Sequence, residues 1–251
     1  MITHAQLKDC LLSLFDSEKL DKFPEEWGFI ARGDRRISKI GYCTNLTPHT
    51  VEEAIRHGVD LVLTHHDVWS FMYGMPEVCT SKLEAHGISS SFFHLPLDDA
   101  DFGTSAALAE KLELRNMEKS TLIEGLFYCG RVGEWEHEKS LDDAKAMLKS
   151  ALGEPVRAWR NDDRPIKNVG IVTGGGTMTD HIKEAVECGC DAYITGEKTL
   201  YSVEFAQFAG IDLLVGSHTG TEFPGVESFA YRVAEKLPNG RLVRLSEERI
   251  E

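Results

Sequence analysis

Two stretches of the 251-residue chain set an imidazole four residues ahead of a carboxylate: His94-x-x-x-Asp98 and His218-x-x-x-Glu222. Each follows an apolar, strand-like run, and each leads towards a glycine and an amphipathic helix pattern. A third element, the tandem His65-His66, ends the run Asp60-Leu-Val-Leu-Thr64. Where such a segment is helical, the i,i+4 spacing puts histidine and acid on one face. Imidazole nitrogen and carboxylate oxygen together suit Zn, Mn, Fe or Co. Gathered at strand ends from distant parts of the chain, these residues point to a metal site. Adjacent side chains on a strand face opposite ways. His65 and His66 therefore serve one centre only if the strand ends and turns there; otherwise they serve two neighbouring ions, one each.

The elements that must position these residues recur along the chain. Residues 37–66 read as strand, helix, strand, with the helix pattern closing at Gly58 before Val59-Asp60 and the next apolar run. Residues 166–197 repeat the order, closing at Gly189 before Cys190-Asp191. Glycine after the last periodic residue suits a helix C-terminal cap. His86-Gly87-Ile88 then leads to the strand before His94, as Ala209-Gly210-Ile211 leads to the strand before His218. Beyond the acids come Gly103-Thr-Ser-Ala-Ala-Leu-Ala-Glu-Lys-Leu and Gly225-Val-Glu-Ser-Phe-Ala-Tyr-Arg-Val-Ala-Glu-Lys-Leu. So long a period implies a duplicated lobe, not a solenoid. Strands alternating with helices predict an α/β protein: two similar fused lobes with layered, largely parallel sheets. The expected division is a first lobe over 1–118, and a linker with a second lobe over 119–251, the metal site lying between them. The joining segment 113–165 offers a strand over 126–132, a helix over 141–152 and a strand near 156–159. In such sheets function collects beyond the C-terminal strand ends, where His65, His66, His94 and His218 all fall.

Composition narrows the classes. The net charge of −14 argues against sequence-independent nucleic-acid binding and against an anionic membrane surface. Bound cations can still make a local positive site within an acidic shell. No apolar run is long enough for a membrane span, and no basic segment followed by an apolar stretch opens the chain as in a signal peptide. The six cysteines are scattered, with no C-x-x-C pair, which suits a reducing cytoplasm. Cys188-x-Cys190 could chelate a metal; small apolar packing between a helix end and a strand is the favoured reading. Gly174-Gly-Gly176 follows a strand and could offer amides to an anion. Without G-x-G-x-x-G spacing or a G-K-[ST] end, a tight structural turn is favoured.

With these motifs in hand, the chain resembles the Nif-three-like dinuclear metal-centre proteins, often named GTP cyclohydrolase I type 2 homologues. Asp60-Leu-Val-Leu-Thr-His65-His66 resembles the signature strand with tandem histidine. His94-Leu-Pro-Leu-Asp98 is similar to a His-Thr-x-Leu-Asp element, and Ser217-His218-Thr-Gly-Thr-Glu222 to a late Gly-His-x-x-x-Glu element. Asp191-Ala-Tyr-Ile-Thr-Gly196 and Val169-Gly-Ile-Val-Thr-Gly-Gly-Gly176 match as well. The resemblance implies two divalent ions (Zn, Fe or Mn) held by His65, His66, Asp98, His218 and Glu222, with Glu222 as the bridging carboxylate. It also implies a homohexameric ring with sites facing an internal cavity. Segment 113–165 is too short for the middle domain that some members insert. Leu95-Pro96, Asp67 and Asn45 depart from the usual residues at their positions, but none is one of the five implied ligands.

His94 is open to three readings: a sixth ligand, a proton shuttle, or a partner that orients Asp98. A catalytic, non-ligand role near the metals is favoured. The expected function is metal-dependent hydrolysis of a small molecule, a nucleotide or other phosphate compound, with GTP ring opening as a narrower form. The competing expectation is a non-catalytic metal-binding, storage or adaptor protein, or a ring whose shape is its function.

Overall fold

Short, buried runs between turn residues become the central strands, with helices between them. The computed structural model of the protein describes residues 2–33, 35–237 and 240–248. Helices α1 (His4–Leu12) and α2 (Ser17–Lys22) precede β1 (Trp27–Ala31), β2 (Lys39–Tyr42), α3 (Pro48–His57), β3 (Leu61–Thr64), α4 (Met75–Ala85) and β4 (Ser89–Phe93). Then come α5 (Leu95–Asp99), α6 (Thr104–Lys111), β5 (Arg115–Ile123), β6 (Phe127–Lys139), α7 (Leu141–Leu152) and β7 (Arg157–Trp159). The remainder is β8 (Ile166–Val172), α8 (Thr179–Glu187), β9 (Ala192–Thr195), α9 (Leu200–Ala209), β10 (Asp212–Val215), α10 (His218–Glu235) and β11 (Arg241–Arg244). Two compact units result, Met1–Ala100 with Val226–Ile250, and Asp101–Gly225.

The first unit holds a five-stranded sheet in the order β1-β4-β3-β2-β11. Its strands β2, β3, β4 and β11 run parallel, and β1 closes one edge antiparallel to β4. Buried Val51, Ala54, Val59, Val62, Cys79, Leu83 and Ile88 form its core with Leu46 and Leu245. The second unit holds a six-stranded sheet in the order β5-β6-β8-β9-β10-β7. Here β8, β9 and β10 form the parallel centre, while β5, β6 and β7 are antiparallel additions. One core cluster of this unit centres on Leu108, Trp135, Leu148, Val169 and Ile171. Another holds Ile182, Tyr193, Ala206 and Leu213. The fold is α/β, as the alternation of patterns predicts.

The repeat seen in the sequence has a common physical basis in each unit. Gly58 ends α3 at φ +59°, a left-handed cap that glycine adopts without penalty. Two residues later Asp60 turns its carboxylate back to accept from the backbone N–H groups of Ser38 and Lys39, each at 2.9 Å. In the second unit Gly189 has φ +76°. Asp191 accepts from Lys167 and Asn168 N–H at 3.0 and 2.9 Å. Each Gly-x-Asp thus ends a helix and ties the new strand to the start of the previous one.

Three features differ from the simple pattern. Helix α7 spans the residues the periodicity predicts, but the strand expected over 126–132 is the start of the longer β6, and β5 joins it as an edge. Most of β5 is exposed, with Arg115, Glu118 and Lys119 among the exposed residues, as edge strands often are, so it carries no apolar alternation to read. Gly225 does not interrupt a helix, because α10 runs straight through it. A Cβ at Gly225 would stand 2.5 Å from the Thr104 backbone; the glycine serves close approach within the second unit. No helix among the described residues is long and apolar enough to cross a membrane.

Candidate metal centre

In the first unit, β3 ends at Thr64, and His65 and His66 form a bend beyond it. Both backbone N–H groups donate to Thr44 O, at 3.2 and 3.0 Å. The Thr64 hydroxyl donates to His66 O at 2.8 Å. The strand therefore ends and turns, and the two rings come to the same side with centroids 4.5 Å apart. His94 follows β4 and stands at the N-terminal cap of α5. Its ring lies 5.1 Å from that of His65 and 5.5 Å from that of His66. One ligand atom from each of His65, His66 and His94 lies within 4.8 Å of the others, so this group could hold a metal ion. Asp98, one helical turn past His94, places Oδ1 3.5 Å from His65 Nε2. Asp98 and the tandem histidines are buried, while His94 is half-buried.

In the second unit, His218 opens α10 just past β10. The i,i+4 helical spacing brings its Nε2 to 3.0 Å from Glu222 Oε1. Burial alone would lower the His218 pKa; Glu222 and Glu197 outweigh it and raise the imidazole to about 10. Gly174 belongs to the glycine-rich turn after β8 and has φ +60°. A Cβ there would lie 2.0 Å from Glu222 Oε1 and 2.8 Å from His218 Nε2. The turn is thus structural in a specific sense: it clears the space beside this histidine–carboxylate pair. Glu154 fixes the start of the helix, accepting from Ser217 N–H at 2.8 Å and from its hydroxyl at 2.9 Å.

The donor chemistry fits a divalent metal. Each of the four histidines directs Nδ1 to an oxygen: Phe93 O for His65 at 2.9 Å, and Asn45 Oδ1 for His66 at 2.7 Å. Glu26 Oε2 serves His94, and Glu197 Oε1 serves His218, each at 2.6 Å. These oxygens only accept from a ring nitrogen, so Nδ1 carries the hydrogen and Nε2 is the atom turned to the site. Metal-ligating histidines are commonly held in this way. Donation from His94 in turn holds the Glu26 carboxyl below its usual range.

Glu26 and Glu197 escape sequence reasoning. Glu26 lies in a short turn with no spacing to the motif, and only the pairing of β1 with β4 brings it to His94, whose N–H also donates to Glu26 O at 2.8 Å. Glu197 had a signal, since Gly196-Glu197 stands in the second repeat where His65-His66 stands in the first. Cys188 and Cys190 form no metal group among the described residues. Burial raises both thiols, that of Cys190 to about 12.

Comparison with known proteins extends the match from these residues to the whole fold. The chain is 26% identical over 217 residues to a GTP cyclohydrolase 1 type 2 homolog of Allochromatium vinosum, covering 84% of this chain and 83% of the other. It is 26% identical to a protein of the same name from Haemophilus influenzae, with 94% of each chain covered. A Bacillus cereus protein related to NIF3 has the same fold, with a TM-score of 0.82 at 15% identity over 98% of this chain and 97% of that one. The profile of one family matches residues 7–249, and the chain accordingly belongs to the Duf34/NIF3 (NGG1p interacting factor 3) family.

Proposed function

We propose that the chain is a cytoplasmic dinuclear metal protein that hydrolyses a nucleotide or another phosphate-containing small molecule. The proposed ligands are His65, His66 and Asp98 from the first unit and His218 and Glu222 from the second. The observation that carries the reading is the common orientation of the four histidines, with Nδ1 tied to an oxygen and Nε2 left as donor. Two divalent ions held by these residues would supply Lewis acidity, lowering the pKa of water towards ~7 and attracting anionic oxygens. His94 is proposed to move the proton. The Glu26 carboxylate fixes its tautomer and ring orientation, as a positioned general acid–base requires. An aromatic part in the substrate is supported by Trp69, whose ring lies 5.3 Å from that of His94 and stacks at 6.3 Å on the exposed Phe71. The names of the curated relatives support GTP as one nucleotide to try.

The test is purification with divalent metal followed by a screen of nucleotides and phosphoesters, comparing wild type with His66→Ala and Glu222→Ala. Hydrolysis that needs both residues is the expected result. Activity unchanged by either substitution would sink the catalytic reading, and a native protein without stoichiometric metal would sink the metal centre itself.

A second reading is a non-catalytic metal-binding adaptor assembled as a homohexameric ring. It is favoured by the exposed Leu200, Tyr201 and Phe208 of α9, an apolar set suited to contacts between copies. Light scattering checks the ring, which a monodisperse monomer excludes.

A further inference from the structure

Glu247 follows β11 in the C-terminal segment, far in sequence from the histidine motifs. Its Oε2 accepts from Thr44 N–H at 2.9 Å, and its Oε1 accepts from Asn45 N–H at 2.9 Å and from the Asn45 side-chain amide at 3.1 Å. The other end of that amide, Oδ1, lies 2.7 Å from His66 Nδ1. The carbonyl of Thr44 receives both histidine backbone N–H groups. One carboxylate thus clamps the turn on which His65 and His66 are built.

The direction of this chain of bonds follows from what each group can do. A carboxylate has only acceptors, so Asn45 must turn its NH2 towards Glu247. Its carbonyl oxygen is then the end that faces His66. A carbonyl cannot donate, so His66 must carry its hydrogen on Nδ1. We propose that Glu247 is a positioning residue for the centre, setting the tautomer and ring orientation of His66 through Asn45 and so leaving Nε2 as the donor atom. The consequence for metal uptake rests on the reading of the centre above; the tautomer claim stands without it. Asn45 is the one kind of side chain of its size that accepts from the ring and donates to the carboxylate at once. Asn45→Leu, which can neither accept from the ring nor donate to the carboxylate, would break the relay.

The experiment uses the full chain, 15N-labelled and metal-free, with imidazole nitrogens read by long-range proton–nitrogen correlation and His66 assigned by its loss in His66→Ala. Wild type should show His66 as the Nδ1–H tautomer. Glu247→Ala should give a mixture of tautomers, and Glu247→Gln, which keeps Oε1 for the Asn45 amide but turns its NH2 to the Thr44 N–H, should restore part of the Nδ1–H form. Zn(II) affinity, measured by competition with a chromophoric chelator, should fall roughly 10- to 100-fold in Glu247→Ala and less in Glu247→Gln. Should Glu247→Ala fail to fold, Asn45→Leu gives the same readout with Glu247 in place. A His66 that stays wholly Nδ1–H in these variants, or that is not Nδ1–H in wild type, overturns the proposal. If wild type takes up no zinc, the metal reading fails while the tautomer result still decides the relay.

Discussion

At the scale of single residues, the second unit's histidine–carboxylate pair depends on an atom that is absent. Gly174 combines a left-handed φ of +60° with a position where a Cβ would meet Glu222 Oε1 at 2.0 Å. Alanine there must either distort the turn or push Glu222 off His218. Gly174→Ala should therefore cost about 1–3 kcal/mol of stability and reduce metal uptake. Urea denaturation and metal content by mass spectrometry check the two effects; a variant that matches wild type in both would refute the packing argument. Glu26, Asn45 and Glu197 act at the same scale. None needs to touch a metal, yet each holds a ring by its Nδ1.

At the scale of elements, helix starts and strand ends do the positioning. Helix α3 opens with a capping box in which Thr47 Oγ1 accepts from Thr50 N–H at 3.2 Å and Thr50 Oγ1 accepts from Thr47 N–H at 2.8 Å. The Thr50 hydroxyl also donates to Asn45 O at 3.0 Å, tying the cap to the turn that holds His66. Thr47→Ala should cost about 1 kcal/mol, seen as a lower urea midpoint with an unchanged slope. Loss much beyond about 2 kcal/mol would mean that the cap supports more than its own helix. Two short helical starts turn an i,i+4 spacing into a shared face, at α5 for His94 and Asp98 and at α10 for His218 and Glu222. The halves then diverge. Helix α5 stops at Asp99, whereas α10 continues through Gly225.

At the scale of the whole molecule, metal and folding should be linked through protons. In the metal-free protein His218 titrates near 10, above its ordinary value. Its protonated form therefore stabilises the fold fully below about pH 6.5, and that contribution is lost as pH rises through about 10. A divalent ion taken up at Nε2 would compete with the same proton, so binding would release it and strengthen as pH rises through neutrality. At a hundredfold excess over its Kd, an ion stabilises the native state by about 2.7 kcal/mol, or roughly 5–10 °C in Tm. Scanning calorimetry with and without Zn(II) should show this increment growing between about pH 6.5 and pH 9, and vanishing in the His66→Ala and Glu222→Ala variants. An increment that ignored pH would show that His218 gives up no proton to the ion.

Local pattern was enough for the α/β class, the repeated Gly-x-Asp junctions and the histidine–acid spacings, because each depends on neighbours a few residues apart and on the period of its own element. The pairing of β1 with β4 was beyond such pattern, and so was the parallel pairing of β11 with β2, which carries Glu247 to the Thr44–Asn45 turn. The acceptors behind His66 and His94 were hidden for the same reason. A carboxylate or amide on a turn looks like ordinary solvated surface until strand pairing places it within hydrogen-bond distance of an imidazole. The side-chain types of the candidate site are a local property of the chain, whereas the orientation of each is a contact between segments distant in sequence.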